Sequence, residues 1–495
     1  MQHNLANHKS VLGKEDLFFI ITLILLCGYA YRLLPQINIT SDGFMHLYLK
    51  SLQALHSWNY WLAGFDVGAT LFGAILVRLF GSNIEAYLWF ELGVILFIDL
   101  LFYLLVKTIT KSSIIAFVSS LIAGVSYFGT WNVYGTPCYC FFLERVVNMP
   151  FIITSFIFLH LFLETERIRF IGLSLLLFFF GVGLGHVELI ITPAFMVYPV
   201  IWYVIHKRSK FFIDGVLVGT AYISISGFFT RMQRLTFGNW GTEWTFLEFF
   251  LNSSKYDYFK ASALQLVHWS QYPPLSILLS SNPFSHISIP GAQKSIPLVL
   301  TIYLLTMLYI YKNVTQHRAI IVTSVIGVLG ITLLNSYVKL PEIIVPNSNR
   351  YLYFPTFFLS IFWAIVLWYT FLKHAGVRFY VGVTILGSYY LANVILIDNI
   401  IHENFKWSES TRAIFTYVRE NRYKLEPNTL VVVSWPEFWV QEAHFFTEQL
   451  GKGEVTYATE ITNMSDWKTL VPQNDHVIML RYNTECACVK ETKIK

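Results

Sequence analysis

The chain has 495 residues, 55% of them hydrophobic and 13% charged, with a mean hydropathy of +0.53. So much apolar surface excludes a single soluble core and makes a bilayer the natural solvent. The net charge of +5 is modest and sits in short basic turns, so nucleic acid is not expected as a partner.

Runs of mostly apolar residues, each long enough to cross a hydrocarbon core of roughly 30 Å, recur along the chain. The first, 17–34, reads as a retained anchor, because it has span length and leads into Tyr31, Arg32 and Pro35 rather than into a small-residue cleavage site. Further spans are expected at 84–106, 113–131, 149–164, 170–185, 188–205, 211–229, 295–311, 319–337, 351–372 and 379–397, about eleven helices in all. Alternate connections carry Lys107 and Lys111; Arg167 and Arg169; Lys207, Arg208 and Lys210; Lys312 and Arg318; Lys373 and Arg378. Short basic loops stay cytoplasmic, which predicts a cytoplasmic N-terminus and an extracytoplasmic segment after about 398. Counting 61–80 as another span would export all of that charge. With Asp66 and three glycines it reads instead as an amphipathic or re-entrant segment.

Long outer loops are expected at 35–83 and 230–294. Trp240, Trp244, Tyr256, Tyr258, Trp269 and Tyr272 of the second suit a membrane interface, where they anchor the loop or meet a substrate. The expected fold is therefore an all-α polytopic membrane domain over 1–400, followed by a small soluble α/β domain over 401–495. In the latter, helix patterns at 408–423 and 437–450 alternate with strand-like runs at 429–434 and 476–482; Val431, Val432 and Val433 form a buried-strand run and Gly451 a helix stop. Nothing in this tail resembles a nucleophile, phosphate loop or metal cluster. Cys138-x-Cys140 and Cys486-x-Cys488 lack the two-residue spacer of a zinc or redox motif, and no disulfide framework follows from them.

Three groups of residues could carry chemistry. In Thr40-Ser41-Asp42-Gly43-Phe44-Met45-His46, a cap at Ser41 or Thr40 would put Asp42 and His46 one turn apart. The pair could share a proton or a divalent ion; alternatively Asp42 supports the cap and His46 lies in the interface. In Gly183-Leu184-Gly185-His186-Val187-Glu188, the carboxylate of Glu188 at the membrane boundary needs water, a substrate or a partner such as His186. Glu91 and Asp99 inside the second span raise the same question; Asp99, nearer the cytoplasmic half, reads as a structural hydrogen-bonding group. In Asn347-Ser348-Asn349-Arg350-Tyr351-Leu352-Tyr353-Phe354-Pro355, Arg350 can offer a planar fork to a lipid phosphate or snorkel to the interface.

Together, an acidic first outer loop, basic inner turns, Arg350-Tyr351-Leu352-Tyr353-Phe354-Pro355 before a late span and an outer C-terminal domain resemble the GT-C membrane glycosyltransferases, such as the protein O-mannosyltransferases and the lipid A aminoarabinose transferase. The run from Asn349 to Pro355 is similar to an Arg-Tyr-Leu-Tyr-Leu-Pro motif of TPR-bearing O-mannosyltransferases. The resemblance covers roughly 15–400. It implies a lipid-phosphate-sugar-dependent enzyme whose first-loop carboxylate, here Asp42, is catalytic, with a polyprenyl-phosphate-linked sugar as donor and a glycan, lipid or protein as acceptor. Arg350 and Tyr351 would meet the donor phosphate, and His46 or Glu188 would orient Asp42 or hold a divalent metal ion. Where many members pair two acids, Gly43 follows Asp42 and the next carboxylate is Asp66; His186 and Glu188 loosely match a Lys-Glu pair of some relatives. Composition suits a bacterial inner membrane. A transporter or lipid flippase is the rival reading, and a non-catalytic assembly factor a third.

Overall fold

The computed structural model describes residues 13–37, 39, 47, 67–126, 143–183, 191–206, 212–237, 289–343, 353–435, 440–460 and 467–495. Two parts follow one another along the chain: a helical bundle and a small α/β domain. The bundle comprises α1 (Lys14–Ala30), α2 (Val67–Phe80), α3 (Ile84–Thr110), α4 (Ser113–Gly124), α5 (Leu143–Thr165), α6 (Ile168–Gly183), α7 (Thr192–Ile205), α8 (Phe212–Phe237), α9 (Ile289–Asn313), α10 (Arg318–Ile343), α11 (Tyr353–Leu367, continued by a π turn over Trp368–Leu372) and α12 (Val377–Trp407).

A helix stands at every position where a span was expected, and α2 occupies the segment set apart from them. Among the described residues five are long and apolar enough to cross a membrane: Lys14–Gln36, Ile84–Thr110, Asn148–Thr165, Phe212–Arg231 and Val377–Asn399. Shorter apolar helices accompany them at Leu71–Phe80, Ser113–Gly124, Ile168–Gly183, Thr192–Ile205 and Thr356–Leu372. The chain is thus a helical membrane protein with a small C-terminal sheet.

Local chemistry sets the helix ends. Asn83 caps α3 by accepting the Ala86 N–H at 3.4 Å, and Lys111 closes the helix with a left-handed φ of 56° before Ser112 caps α4. At the start of α1 the Gly13 N–H donates to Asp16 Oδ2 at 2.7 Å. The other Asp16 oxygen accepts from Tyr103 Oη at 2.6 Å and faces Lys107 Nζ at 3.0 Å, which locks the first turn of α1 to the last turns of α3. Asp16 is only 3% exposed.

Aromatic rings and small residues hold the bundle together. Phe156 stacks on Tyr198 at 4.9 Å, Phe178 meets Phe195 at 4.7 Å, and Ser174 bridges Ser155 and Tyr222, joining α5, α6, α7 and α8. Gly215 and Gly219, one turn apart on α8, face α7; a Cβ at Gly219 would lie 2.7 Å from the Met196 carbonyl oxygen. Without side chains there, the two backbones approach as in small-xxx-small membrane pairs.

Polar contacts divide the bundle into two ends. Asp16 and Lys107, Lys111 and Glu164 (2.9 Å), His160 and Tyr198 (2.7 Å), and Gln316 and Tyr369 meet at one, termed proximal. At the other, distal end Arg32 Nη2 lies 2.6 Å from Asp398 Oδ2, and Tyr390 Oη donates to the Leu26 carbonyl at 3.1 Å, clasping α1 to α12.

From the distal end of α12 the chain enters α13 (Glu409–Asn421), β1 (Thr429–Ser434), α14 (Val440–Gln449), β2 (Val455–Thr459), β3 (His476–Asn483) and β4 (Cys488–Lys493). The sheet order is β2-β1-β3-β4, with β1 parallel to β2 and β3, and β4 antiparallel to β3. Val431, Val432 and Val433 are buried at 1%, 0% and 0%, as the run predicts for a central strand. Two features went beyond the sequence reading: β2 and β4 were not anticipated, and Cys486 is joined to Cys488 by a disulfide across the β3–β4 turn, a pairing that the Cys-x-Cys spacing did not predict. Cys27 is free and buried; Cys138 and Cys140 lie outside the described residues.

Candidate functional site

Asp42, His46, Asp66, His186, Glu188, Arg350 and Tyr351 lie outside the described residues. Among the expected site residues the structure places Glu91, which is 5% exposed on α3. Their chain neighbours frame the rest. Ile39 and Leu47, on either side of Asp42 and His46, are 0% and 1% exposed, so the chain is anchored in the core both before and after the carboxylate. Upstream, Leu34, Pro35 and Ile37 are also buried. Arg32 lies with its guanidinium 4.2 Å from the Tyr29 ring centre and pairs with Asp398, which fixes the distal end of α1 from which this loop departs.

Asp99 lies two turns beyond Glu91 on α3 and is 4% exposed. It is hydrogen-bonded to the Cys27 thiol of α1, and a Cβ at Gly124 of α4 would lie 2.6 Å from its Oδ2. Tyr389 of α12 donates to the Ile122 carbonyl at 3.2 Å nearby. Four helices thus converge around one carboxyl group, whose Oδ2 is buried and, among the described residues, without a hydrogen-bond partner. The thiol and the glycine that complete the cluster carry no motif by which sequence reading could have joined them.

Beside α11 an apolar cavity of about 200 Å³ opens, lined by Tyr303 and Met307 of α9, Ser324 and Val328 of α10, and Leu359 and Phe362 of α11. α11 begins at Tyr353, three residues after Arg350, so the cavity runs along the helix that the arginine precedes. Its apolar lining suits a hydrocarbon group.

A second cavity, about 260 Å³, lies at the proximal end between Lys111, His160, Glu164, His206 and His317. Its polar groups are partnered: Glu164 faces Lys111 at 2.9 Å and His160 at 3.3 Å, and His206 Nδ1 lies 2.8 Å from the Trp202 carbonyl. Among the described residues no three His, Cys, Asp or Glu side chains converge to hold a metal ion. Burial pushes the His317 imidazole down to about 4 from its ordinary 6.5. The unfolded chain therefore binds a proton that the folded one refuses between these values, and folding stability falls as pH drops through that window. We expect the thermal midpoint of the detergent-purified protein to fall between pH 7 and pH 5, and His317→Gln to flatten that decline.

Compared with models of known protein families the chain matches none, and no curated protein matches it significantly.

Proposed function

We propose that the chain is an integral membrane glycosyltransferase that moves a sugar from a polyprenyl-phosphate donor to an acceptor hydroxyl, inverting the anomeric centre. The observation that carries this reading is the apolar cavity against α11, on the helix that follows Arg350. A prenyl chain lying there would bring its phosphate toward the segment containing Arg350 and Tyr351. Ile39 and Leu47, on either side of Asp42 in the sequence, are buried, and the Cys486–Cys488 disulfide suits a C-terminal domain outside the cytoplasm. On this reading about eleven helices span a bacterial inner membrane with the N-terminus cytoplasmic.

Asp42 takes the proton of the acceptor hydroxyl as that oxygen bonds to the anomeric carbon. The bond from that carbon to the phosphate oxygen breaks, and polyprenyl phosphate leaves with the electron pair, its charge met by Arg350. His46 or Glu188 orients the carboxylate.

Release of sugar from radiolabelled polyprenyl-phosphate donors by the purified protein tests the proposal. Val325 also lines this cavity, and Val325→Trp, which fills it, should raise KM for undecaprenyl donors about tenfold and leave farnesyl donors unaffected. The buried carboxyls Glu91 and Asp99 inside α3 favour the transporter reading instead. No turnover with any donor, together with substrate movement across liposomes, would establish it.

A further inference from the structure

We propose that the Cys486–Cys488 bridge is a thiol–disulfide exchange site, which oxidises paired thiols of polypeptides that reach the tip of the β3–β4 hairpin. A bridge between residues two apart closes too short a loop to remove much entropy from the unfolded chain, so holding the fold together is a poor account of it. Cys486, Ala487 and Cys488 form a small ring. Within it Ala487 is held at a left-handed φ of 48°, a conformation that a non-glycine residue adopts at a cost, and opening the bridge frees the backbone to leave it. Cys486 is exposed and Cys488 half-buried, so the first offers its sulfur to an incoming thiolate.

The strand register supplies what the departing sulfur needs. In the antiparallel ladder Asn483 pairs with Cys488 and Arg481 with Lys490, and residues two apart along a strand share a face. Arg481 and Lys490 therefore stand on the same face as Cys488, one step of about 7 Å along the ladder. Both are exposed, and among the described residues neither is ion-paired. Cations beside a cysteine stabilise its thiolate, and a stabilised thiolate leaves faster. The acidic groups lie elsewhere: Glu485 precedes Cys486 rather than Cys488, and Glu491, on the other face of β4, accepts from Tyr417 Oη at 2.7 Å. After reduction the Cys486 thiol has an acceptor in the Asn483 carbonyl, 3.8 Å from Sγ. Among the described residues β4 is also an edge of the sheet, along which an extended polypeptide can add.

A thiolate of the polypeptide attacks Cys486 Sγ, the bond to Cys488 breaks, and Cys488 leaves as a thiolate. The polypeptide's second thiolate then attacks the sulfur of the first, which forms its own disulfide and releases Cys486. Two electrons pass from the polypeptide to the bridge, and the protons lost by its two thiols end on Cys486 and Cys488.

The activity is independent of sugar transfer, so its test reads exchange alone. The full-length protein in detergent is mixed without oxygen with a synthetic peptide carrying two cysteines, then quenched, alkylated and followed by mass spectrometry of the segment containing Cys486 and Cys488. Peptide disulfide should appear in step with loss of the bridge, about tenfold faster than with oxidised glutathione at the same concentration. Arg481→Gln with Lys490→Gln should slow exchange about tenfold at an unchanged thermal midpoint, whereas Arg481→Lys with Lys490→Arg should retain it. A bridge that stays intact, or that exchanges no faster than oxidised glutathione, overturns the site; an equal rate in the glutamine variant overturns the part given to the two cations. Cys486→Ser with Cys488→Ser should leave the thermal midpoint unchanged, and a marked fall would make the bridge a staple of the fold instead.

Discussion

Asp42→Asn is expected to lower turnover by about 10²–10⁴-fold, the usual contribution of a positioned general base, while leaving donor affinity within a factor of two. The two side chains have nearly the same shape, so the substitution removes the carboxylate's basicity with little change of volume. An amide cannot take up the acceptor proton, so the attacking oxygen must react as a neutral hydroxyl. On the proposed reading, donor binding rests instead on Arg350 and on the apolar cavity beside α11. Single-turnover transfer measured beside equilibrium binding of the same lipid-linked sugar separates the two effects. A loss of less than tenfold would remove Asp42 from the role of base.

Asp16→Ala should destabilise the folded protein by about 3–5 kcal/mol, the range found when one member of a buried ion pair is removed. The side chain meets Lys107, the Tyr103 hydroxyl and the Gly13 N–H at once, and its removal leaves all three without that acceptor. Lys107 is 18% exposed and cannot simply rotate into bulk water. Asp16→Asn should cost less, because the amide oxygen can still cap the helix. Denaturation in mixed micelles, followed by tryptophan fluorescence, would rank wild type above Asn and Asn above Ala; equal stability of all three would show that the cluster adds nothing.

The helices were legible because long apolar runs between basic turns have few other physical explanations, and β1 because Val431–Val433 combines branched side chains with continuous apolarity. β2 and β4 were harder to see. Val455–Thr459 is five residues long, and Cys488–Lys493 is an edge strand with polar residues along most of its length, so neither shows the pattern of a buried strand. The tie between Asp16 and Lys107 joins residues on two different helices, and no local periodicity reports a contact between them. Gly215 and Gly219 could have been found, since their spacing is the signature of close helix approach in membranes. Asp42 stood out only through resemblance, because a carboxylate and an imidazole one turn apart also suit an ordinary helix start.

The clasp of Arg32 to Asp398 joins residues 366 positions apart. During synthesis the first helix is therefore inserted long before its partner exists, and Arg32 must wait at the lipid headgroups while the intervening helices are delivered. The bundle closes only when the ribosome has passed Asp398. A chain truncated before that point would present an unpaired arginine at the distal surface of α1, a feature by which membrane quality control could tell unfinished copies from complete ones.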